Sequence, residues 1–271
     1  PATGLPTWTE QADLSFVLTA GHGDLQRVVF TPGTVAEHFE LTIKAFYLAE
    51  KYQIPVFILS DKFILESHQT MTQPELKHNH PRQNMIKSAP KDSSFRRYKA
   101  TKTGVSPRSI PGQKYGLQLT NSYEHDEFGF GTEEITPTIA QVDKRTRKMD
   151  SIAKEIAQPY LVGPKEAETT FVCWGSTINV VSQLIHQQSL SKKKTVNAIH
   201  LPTMWPFPKK EFTRLAKLAK KLVMVEGNQS GQGERLISQE TEVVFTDRIH
   251  RYDGRPFYAE DLQSWLEKNS K

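Results

Sequence analysis

The C-terminal part of the sequence alternates between short apolar runs and amphipathic stretches, and this alternation constrains the fold more than any other feature. Apolar runs that predict strands occupy residues 170–174, 196–201, 222–225 and 243–245. Apolar side chains recur at helical spacing between and after them, in residues 177–185, 212–219 and 260–268. Strands that alternate with helices pair in parallel through right-handed crossovers. The sequence therefore predicts a doubly wound parallel α/β domain over residues 166–271.

The pattern of residues 1–66 is typical of the last part of another α/β domain. Thr7 and Glu10 have the spacing of a capping box, which predicts a helix that begins near Thr7. A strand is predicted at residues 27–30 and a helix at 35–49. Residues 55–61 contain four consecutive apolar residues, which is typical of a strand buried on both faces.

In residues 67–140, apolar side chains recur at neither the spacing of a helix nor that of a strand over any sustained length. Long irregular segments inside compact domains are uncommon and usually carry function or are disordered. This segment has too many apolar side chains for disorder, namely Phe95, Tyr98, Ile110, Tyr115, Leu117 and Leu119. We expect an extended arm that packs on a partner subunit. The predicted organisation is a domain over 1–140 that includes the arm, a linker helix within 141–165, and the domain over 166–271.

Charge and cysteine content exclude several classes of function. The net charge is +5, but the lysines are spread over helix faces without interleaved aromatics, which is typical of a solvated surface. A noncatalytic basic module for nucleic acid or assembly stays open as an alternative. One cysteine, Cys173, can neither form an internal disulfide nor hold an iron–sulfur cluster. Neither a membrane-spanning run nor a signal peptide is evident, so we expect a cytoplasmic protein whose start is truncated or processed.

Four ordered motifs give the sequence a resemblance to a known family. Residues 1–7 with 10–14 are similar to the Pro-Ser-Thr-Gly-x-Pro-Thr…Gln-x-Asp-Leu stretch of 2-oxoacid:ferredoxin oxidoreductase alpha subunits, with Ala2 in place of the commoner Ser. Residues 106–112 and 124–129 resemble two signatures of the 2-oxoglutarate-type members. Residues 254–257 add a match near the end of the chain.

The resemblance implies a fold and a reaction. Residues 1–140 would complete the domain that binds the aminopyrimidine of thiamine diphosphate, and residues 166–271 would form a transketolase C-terminal-like domain. The reaction would be oxidative decarboxylation of a 2-oxoacid, with 2-oxoglutarate favoured, to acyl-CoA, with electrons passed to ferredoxin. A beta component of a 2-oxoacid dehydrogenase or a transketolase-like enzyme is the alternative, but neither is expected to carry the two arm motifs.

The resemblance also implies what other chains must supply. Family members carry an N-terminal domain, the glutamate that protonates the aminopyrimidine and a substrate-binding arginine, and none of these is in the sequence. We therefore expect a part of a larger alpha subunit that is inactive alone, binds no cofactor alone and contains no catalytic residue. Thiamine diphosphate with Mg would lie at the interface with a beta subunit in a hetero-oligomer. The iron–sulfur cluster would lie on the partner chain.

Candidate binding residues follow from the motifs. Thr7, at the expected helix start, and Thr3 are predicted to bind the substrate carboxylate, although Thr7 could merely cap its helix. Asp61 ends a predicted strand and is a candidate cofactor-binding residue, with a turn or helix cap as the alternative. Arg108 is predicted to bind substrate through its guanidinium fork, or else to form a salt bridge between subunits.

Two polar stretches suggest ligand sites that we do not favour. Glu124, His125, Asp126 and Glu127 are adjacent, and adjacent residues of an extended chain point to opposite sides, so a metal site is not predicted. We interpret these four residues as structural or as part of an interface. Residues 227–233 resemble a phosphate-binding loop only loosely, and we interpret residues 226–229 as an interface or coenzyme-edge segment.

Overall fold

The computed structural model describes residues 4–72, 85–91, 94–191 and 195–269. Eight helices and eight strands are present in this described part. In chain order they are α1 (Leu14–Thr19), β1 (Val28–Phe30), α2 (Val35–Tyr52), β2 (Val56–Ile58), α3 (Lys62–Leu65), α4 (Ile135–Ile152), β3 (Tyr160–Val162), β4 (Thr169–Trp174), α5 (Thr177–Ser191), β5 (Val196–Leu201), β6 (Thr203–Trp205), α6 (Lys209–Ala216), β7 (Leu222–Glu226), α7 (Gln232–Thr241), β8 (Asp247–His250) and α8 (Ala259–Lys268). None of these helices is both long and apolar enough to cross a membrane.

A five-stranded sheet carries the C-terminal part of the chain, in the order β3-β5-β4-β7-β8. All neighbouring pairs are parallel except β3 with β5, which is antiparallel at one edge. Alternate residues of β4 point to opposite faces, so Phe171 packs with α5 and α8, whereas Val172 packs with α6 and α7. Helices therefore cover both faces, which confirms the predicted doubly wound α/β fold.

A second sheet has three strands in the order β2-β1-β6. Strand β1 pairs in parallel with β2 and antiparallel with β6. Strand β6 was not predicted, because the prolines at 202, 206 and 208 made this region look like a break. Strand β2 lies where residues 55–61 predicted a strand, but it is half-buried rather than buried on both faces. Among the described residues it pairs with a strand on one side only, and the prediction of full burial was wrong.

Two other local predictions were also wrong. The first helix begins at Leu14, and Thr7 has a left-handed φ of 68° outside any helix. The capping-box pattern at Thr7 therefore does not start a helix. The fourth strand predicted for the C-terminal part, at residues 243–245, is not formed, and β8 follows at Asp247–His250 instead. Phe245 is buried against the sheet as part of a connection, which explains its apolar character without strand pairing, whereas Val244 is exposed.

The chain divides into two compact units. The sheet unit comprises residues 1–45, 56–74 and 156–271, and the arm unit comprises residues 46–55 and 75–155. Within the described part of the arm unit, the segment before α4 is irregular, with isolated bridges between Met85 and Arg108 and between His125 and Gly131. The described residues of this segment belong to a compact unit, and the expectation of an arm that packs on a partner subunit stays a prediction. The predicted domain boundaries at 140 and 166 stay a prediction.

Helix α4 has an unusual distribution of side chains. Its buried residues include Gln141, Lys144 and Lys148, whereas Ile135 and Ile139 are more than half exposed. An amphipathic surface helix normally buries its apolar stripe. The exposed apolar stripe of α4 is therefore a surface that suits contact with another chain.

Candidate functional site

The first and last motifs of the sequence contact each other in the sheet unit. The guanidinium of Arg255 lies 3.4 Å from the centre of the Trp8 ring, and the Thr9 amide donates to the Gly254 carbonyl at 3.2 Å. Gly254 has a φ of 78°, and a Cβ atom there would lie 2.9 Å from Leu5 Cδ1. The close approach of the chain start therefore requires glycine at this position.

A small polar cavity lies beside this contact. Its volume is about 30 Å³, and its walls are formed by Glu10, Gln11, Asp13, Leu59, Ser60, Asp61, Trp174 and Gly175. The last four of these residues follow or end β2 and β4. Ligands of open α/β sheets bind at the carboxyl ends of the strands. The cavity is therefore in the region of the sheet unit where binding chemistry is expected, and its walls are acidic.

Asp61 combines burial with a capping role. Its carboxylate accepts a hydrogen bond from the Ile64 amide at 3.2 Å and so caps α3. Burial raises the pKa of Asp61, although Ser176 and the α3 amides oppose the shift. Asp61 thus holds a proton more readily than an exposed aspartate. The structure accounts for it as a cap, and its cofactor-binding role stays a prediction.

Thr7 does not lie at the start of a helix. Thr7 is exposed, and α1 begins only at Leu14, so no helix N-terminus lies at Thr7. Its predicted role in substrate binding now depends on the motif alone. Thr3, the second candidate in this motif, lies outside the described residues.

Arg108 lies in the arm unit, in an open groove of about 770 Å³. Its guanidinium is paired with the Glu50 carboxylate and also donates to the Glu50 carbonyl at 3.3 Å. The salt bridge is thus formed within this chain. Arg97 lines the same groove and donates to Gln118 Oε1 at 3.2 Å. Burial lowers the pKa of Arg97, and Arg108 adds to the shift.

This groove has the properties of a site for an acidic small molecule. Its size falls within the range of ligand pockets, and two arginine side chains line it. Sequence reasoning identified Arg108 but missed Arg97, which lies in an irregular stretch without a motif.

The four adjacent polar residues of the third motif each have their own partners within the arm unit. Glu124 accepts two hydrogen bonds from Arg145, and the His125 ring stacks on Tyr98 at 3.8 Å. Asp126 accepts from the amides of residues 128, 129 and 130 at 2.9 to 3.0 Å. Glu127 accepts from the Ala100 amide and pairs with Arg96. The side chains diverge, and no group of three or more potential ligands that could hold a metal occurs in the described residues.

The loop before α7 does not offer a phosphate site. Glu226 is fully buried, and its carboxylate accepts from the amides of Gly233 at 2.9 Å and Glu234 at 3.1 Å. Asn228 donates to the same carboxylate at 2.7 Å. The positive end of the α7 dipole is therefore already occupied by a carboxylate of the chain. Sequence reasoning did not anticipate this role of Glu226.

Comparison with known proteins agrees with these features. Residues 1–145 match the family model for pyruvate flavodoxin/ferredoxin oxidoreductase, thiamine diphosphate-binding, and residues 167–262 match that for pyruvate:ferredoxin oxidoreductase core domain II. The alpha subunit of 2-oxoacid:ferredoxin oxidoreductase 1 from Sulfurisphaera tokodaii is 33% identical over 99% of this chain. The chain spans only 42% of that relative's length.

Two further relatives extend the comparison. The 2-oxoglutarate synthase subunit KorA of Methanocaldococcus jannaschii is 28% identical over 94% of this chain and 68% of its own. A solved structure of 2-oxoglutarate:ferredoxin oxidoreductase from Magnetococcus marinus, with 2-oxoglutarate, coenzyme A and succinyl-CoA bound, superposes with a TM-score of 0.89. It is 28% identical and covers 100% of this chain and 47% of its own. The chain therefore belongs to the pyruvate flavodoxin/ferredoxin oxidoreductase family, which confirms the resemblance inferred from its motifs.

Proposed function

We propose that this chain is part of the alpha subunit of a complex that oxidatively decarboxylates a 2-oxoacid to acyl-CoA and passes the electrons to ferredoxin. The observation that carries the proposal is the match along the whole chain to an oxidoreductase with bound 2-oxoglutarate and coenzyme A. On this basis 2-oxoglutarate is the favoured substrate. The matches favour this reading over a 2-oxoacid dehydrogenase beta component, a transketolase-like enzyme or a basic nucleic-acid module.

The residues of the acidic cavity fit one part of thiamine diphosphate only. Glu10, Asp13 and Asp61 offer acceptors for an amino group, which suits the edge of the aminopyrimidine. The same three carboxylates would repel a diphosphate, and a volume of about 30 Å³ cannot enclose the cofactor. We propose that a partner beta subunit holds the diphosphate and its Mg, so that this chain alone does not retain the cofactor. When bound, thiamine diphosphate supplies the nucleophilic carbon and the electron sink for decarboxylation.

Arg108, in the groove of the arm unit that Arg97 and Arg108 line, is proposed as a substrate-binding residue. 2-Oxoglutarate carries a second carboxylate that pyruvate lacks, and Arg108 can bind such a group through its fork. Glu50 now pairs with this guanidinium, so a substrate carboxylate would take the place of a carboxylate of the chain. Thr7 and Thr3, in the first motif of the sheet unit, are each proposed to bind a substrate carboxylate, independently of the role of Arg108.

The partners follow from the same proposal. Cys173 is fully buried in β4, and burial raises its pKa, so it is unsuited to ligating a cluster. The iron–sulfur cluster that reduces ferredoxin is therefore assigned to another chain of a cytoplasmic hetero-oligomer. The exposed apolar stripe of α4 is proposed to contact the beta subunit. In this reading residues 1–140 form the remainder of the pyrimidine-binding domain, 141–165 a linker helix, and 166–271 the transketolase C-terminal-like domain.

A kinetic comparison tests the proposal. The assembled complex should reduce ferredoxin when given coenzyme A and 2-oxoglutarate. Arg108→Met should lower kcat/KM for 2-oxoglutarate by roughly tenfold to a hundredfold, and that for pyruvate less, because a charge-assisted hydrogen bond is lost. Arg147→Met, at an exposed position of the same unit, should have no effect. A complex without coenzyme A-dependent ferredoxin reduction would contradict the proposed function.

A further inference from the structure

Gln11 occupies the place where a doubly wound sheet usually binds its ligand. From β4 the chain moves to β5 on one side and later returns to β7 on the other side, so the strand order reverses between β4 and β7. The crevice at the carboxyl ends of two such strands is the usual ligand site. The side chain of Gln11 lies in this crevice, and the residue is 6% exposed.

Two glycines shape the crevice around the Gln11 carboxamide. Gly175 follows β4 with a φ of 58°, and a Cβ atom there would lie 2.8 Å from Gln11 Nε2. Gly227 follows β7, and a Cβ atom there would lie 3.3 Å from Gln11 Oε1. A side chain at Gly175 would therefore displace the carboxamide, whereas a Cβ atom at Gly227 would require a shift of only a few tenths of an ångström. The positive φ and the close contact together favour glycine after β4.

Hydrogen bonds fix the carboxamide to both strand ends. Its Nε2 donates to the Trp174 carbonyl at 2.7 Å, and its Oε1 accepts from the Gly227 amide at 2.7 Å. The Gln11 backbone amide donates to the Gly227 carbonyl at 2.7 Å, and its carbonyl accepts from Asn228 Nδ2 at 3.0 Å. The crevice thus needs one donor and one acceptor at the end of the side chain. A carboxamide supplies both, whereas a carboxylate or a methyl group does not.

The contact continues on the C-terminal side of Gln11. Gln232 of α7 donates to the Ala12 carbonyl at 2.7 Å and accepts from the Ser15 amide at 2.8 Å. Residues 11–15 are therefore held by the loop after β7 and by α7. Glu10 and Asp13, which flank this anchor, are two of the acidic walls of the small cavity.

We infer that Gln11 is a positioning residue for 2-oxoacid binding: its side chain fills the β4–β7 crevice and fixes residues 11–15, which follow Thr7 in the first motif. This role rests on the proposed function. The interpretation of residues 226–229 as an interface or coenzyme-edge segment stays a prediction.

The decisive variant is Gln11→Glu in the assembled complex, because it keeps the shape of the side chain. Its carboxylate would place an oxygen against the Trp174 carbonyl, whereas the protonated carboxyl could donate there. Burial raises the pKa of the new carboxyl, as do Glu10, Asp13 and Asp61, which line the same small cavity as Gln11. Arg255, which lines a second cavity with Gln11, opposes this shift. At pH 8 we expect the KM for the 2-oxoacid to rise by roughly tenfold or more, with recovery as the pH falls.

Matched measurements separate a positioning role from a general loss of structure. Gln239→Glu makes the same chemical change at an exposed position of α7 and should alter neither KM nor its pH profile. The KM for coenzyme A should be unchanged in Gln11→Glu. Deuterium uptake of peptides covering residues 8–14 and 226–231 should rise in Gln11→Glu at pH 8 and return to the wild-type level as the pH falls.

Several results would overturn the inference. An unchanged 2-oxoacid KM at pH 8, or a rise in the coenzyme A KM instead, would do so. If Gln11→Glu fails to assemble, Gln11→Met takes its place, because it removes both side-chain hydrogen bonds and keeps the length of the side chain. An unchanged 2-oxoacid KM in Gln11→Met would also overturn the inference. A wild-type complex without 2-oxoacid turnover would contradict both the proposed function and this role of Gln11. An active wild-type complex whose 2-oxoacid KM is unchanged by Gln11→Glu would contradict the role of Gln11 alone.

Discussion

Replacing Lys148 by Met should stabilise the arm unit, although the change removes a charged residue and a polar contact. Lys148 is 7% exposed on the inner side of α4, and its Nζ has one weak hydrogen bond, to the Gln53 carbonyl at 3.5 Å. Within the described part of the chain, no carboxylate pairs with it. Burial first, and then the charges of Arg97 and Arg145, lower its pKa to about 8.

The pKa shift sets the size of the effect. The pKa falls from 10.5 to about 8, and at about 1.36 kcal/mol per unit the charged form costs the folded state about 3 kcal/mol at pH 7. Methionine keeps most of the apolar stem and loses only the weak contact. We expect a net gain of about 2 kcal/mol in the free energy of unfolding of the arm unit, or a Tm higher by roughly 8 to 16 °C for a unit of this size.

The stability difference between Lys148→Met and the wild type should depend on pH. Lys148 loses its proton near pH 8 when folded and near 10.5 when unfolded, so the unfolded state binds more protons between these values. The wild-type penalty therefore shrinks as the pH rises, to below about 1 kcal/mol at pH 10. Because Lys148 also lowers the pKa of Lys144, that pKa should rise in the variant.

Scanning calorimetry at pH 7 and pH 10 measures both effects, with hydrogen exchange of α4 amides to assign the transition. Arg147→Met, on the exposed side of the same helix, is the matched control and should change little. A Lys148→Met variant that is less stable at pH 7, or whose advantage is the same at pH 10, would refute the reasoning.

Two further predictions concern the motifs. Asp126→Ala should destabilise the arm unit by about 1–3 kcal/mol, because the amides of Phe128 and Phe130 lose their acceptor and that of Gly129 keeps only the Asp126 carbonyl. Glu124→Gln should cost at most about 1 kcal/mol, because its pair with Arg145 is partly exposed; urea unfolding that reverses this order would contradict the assignment. Thr7→Val should lower kcat/KM for the 2-oxoacid by roughly tenfold to a few hundredfold if a hydrogen bond to the substrate carboxylate is lost. An unchanged kcat/KM in the assembled complex would remove Thr7 from the site.

The sequence predicted elements whose signal is local and repeated. Strands β4, β5 and β7 consist entirely of buried residues, so their apolar runs were visible in the sequence. Local sequence patterns gave wrong predictions where tertiary packing, rather than periodicity, determines which residues are apolar or how the backbone runs. Phe245 is apolar because it packs on the sheet from a connection, and the Thr7–Glu10 pattern has capping spacing although Thr7 has a left-handed backbone.

The site was less predictable because its contacts join distant parts of the chain. Gln11 meets Trp174 across 163 positions and Gly227 across 216. No local pattern reports such a pairing. The usable signal was the glycine that directly follows each of two buried strands, since a glycine at a strand end often marks close approach of another group. Arg97 gave no signal, because its setting in the arginine groove depends on the fold of an irregular segment.

The most direct test of the account is to isolate the complex that contains this chain from its native source and to measure its components and cofactors. We predict a stoichiometric partner chain, with thiamine diphosphate and iron present in the complex. The 271-residue chain alone should show weak or undetectable binding of thiamine diphosphate in a calorimetric titration. Tight cofactor binding and 2-oxoacid turnover by the chain alone would contradict the claim that it contributes only part of the site.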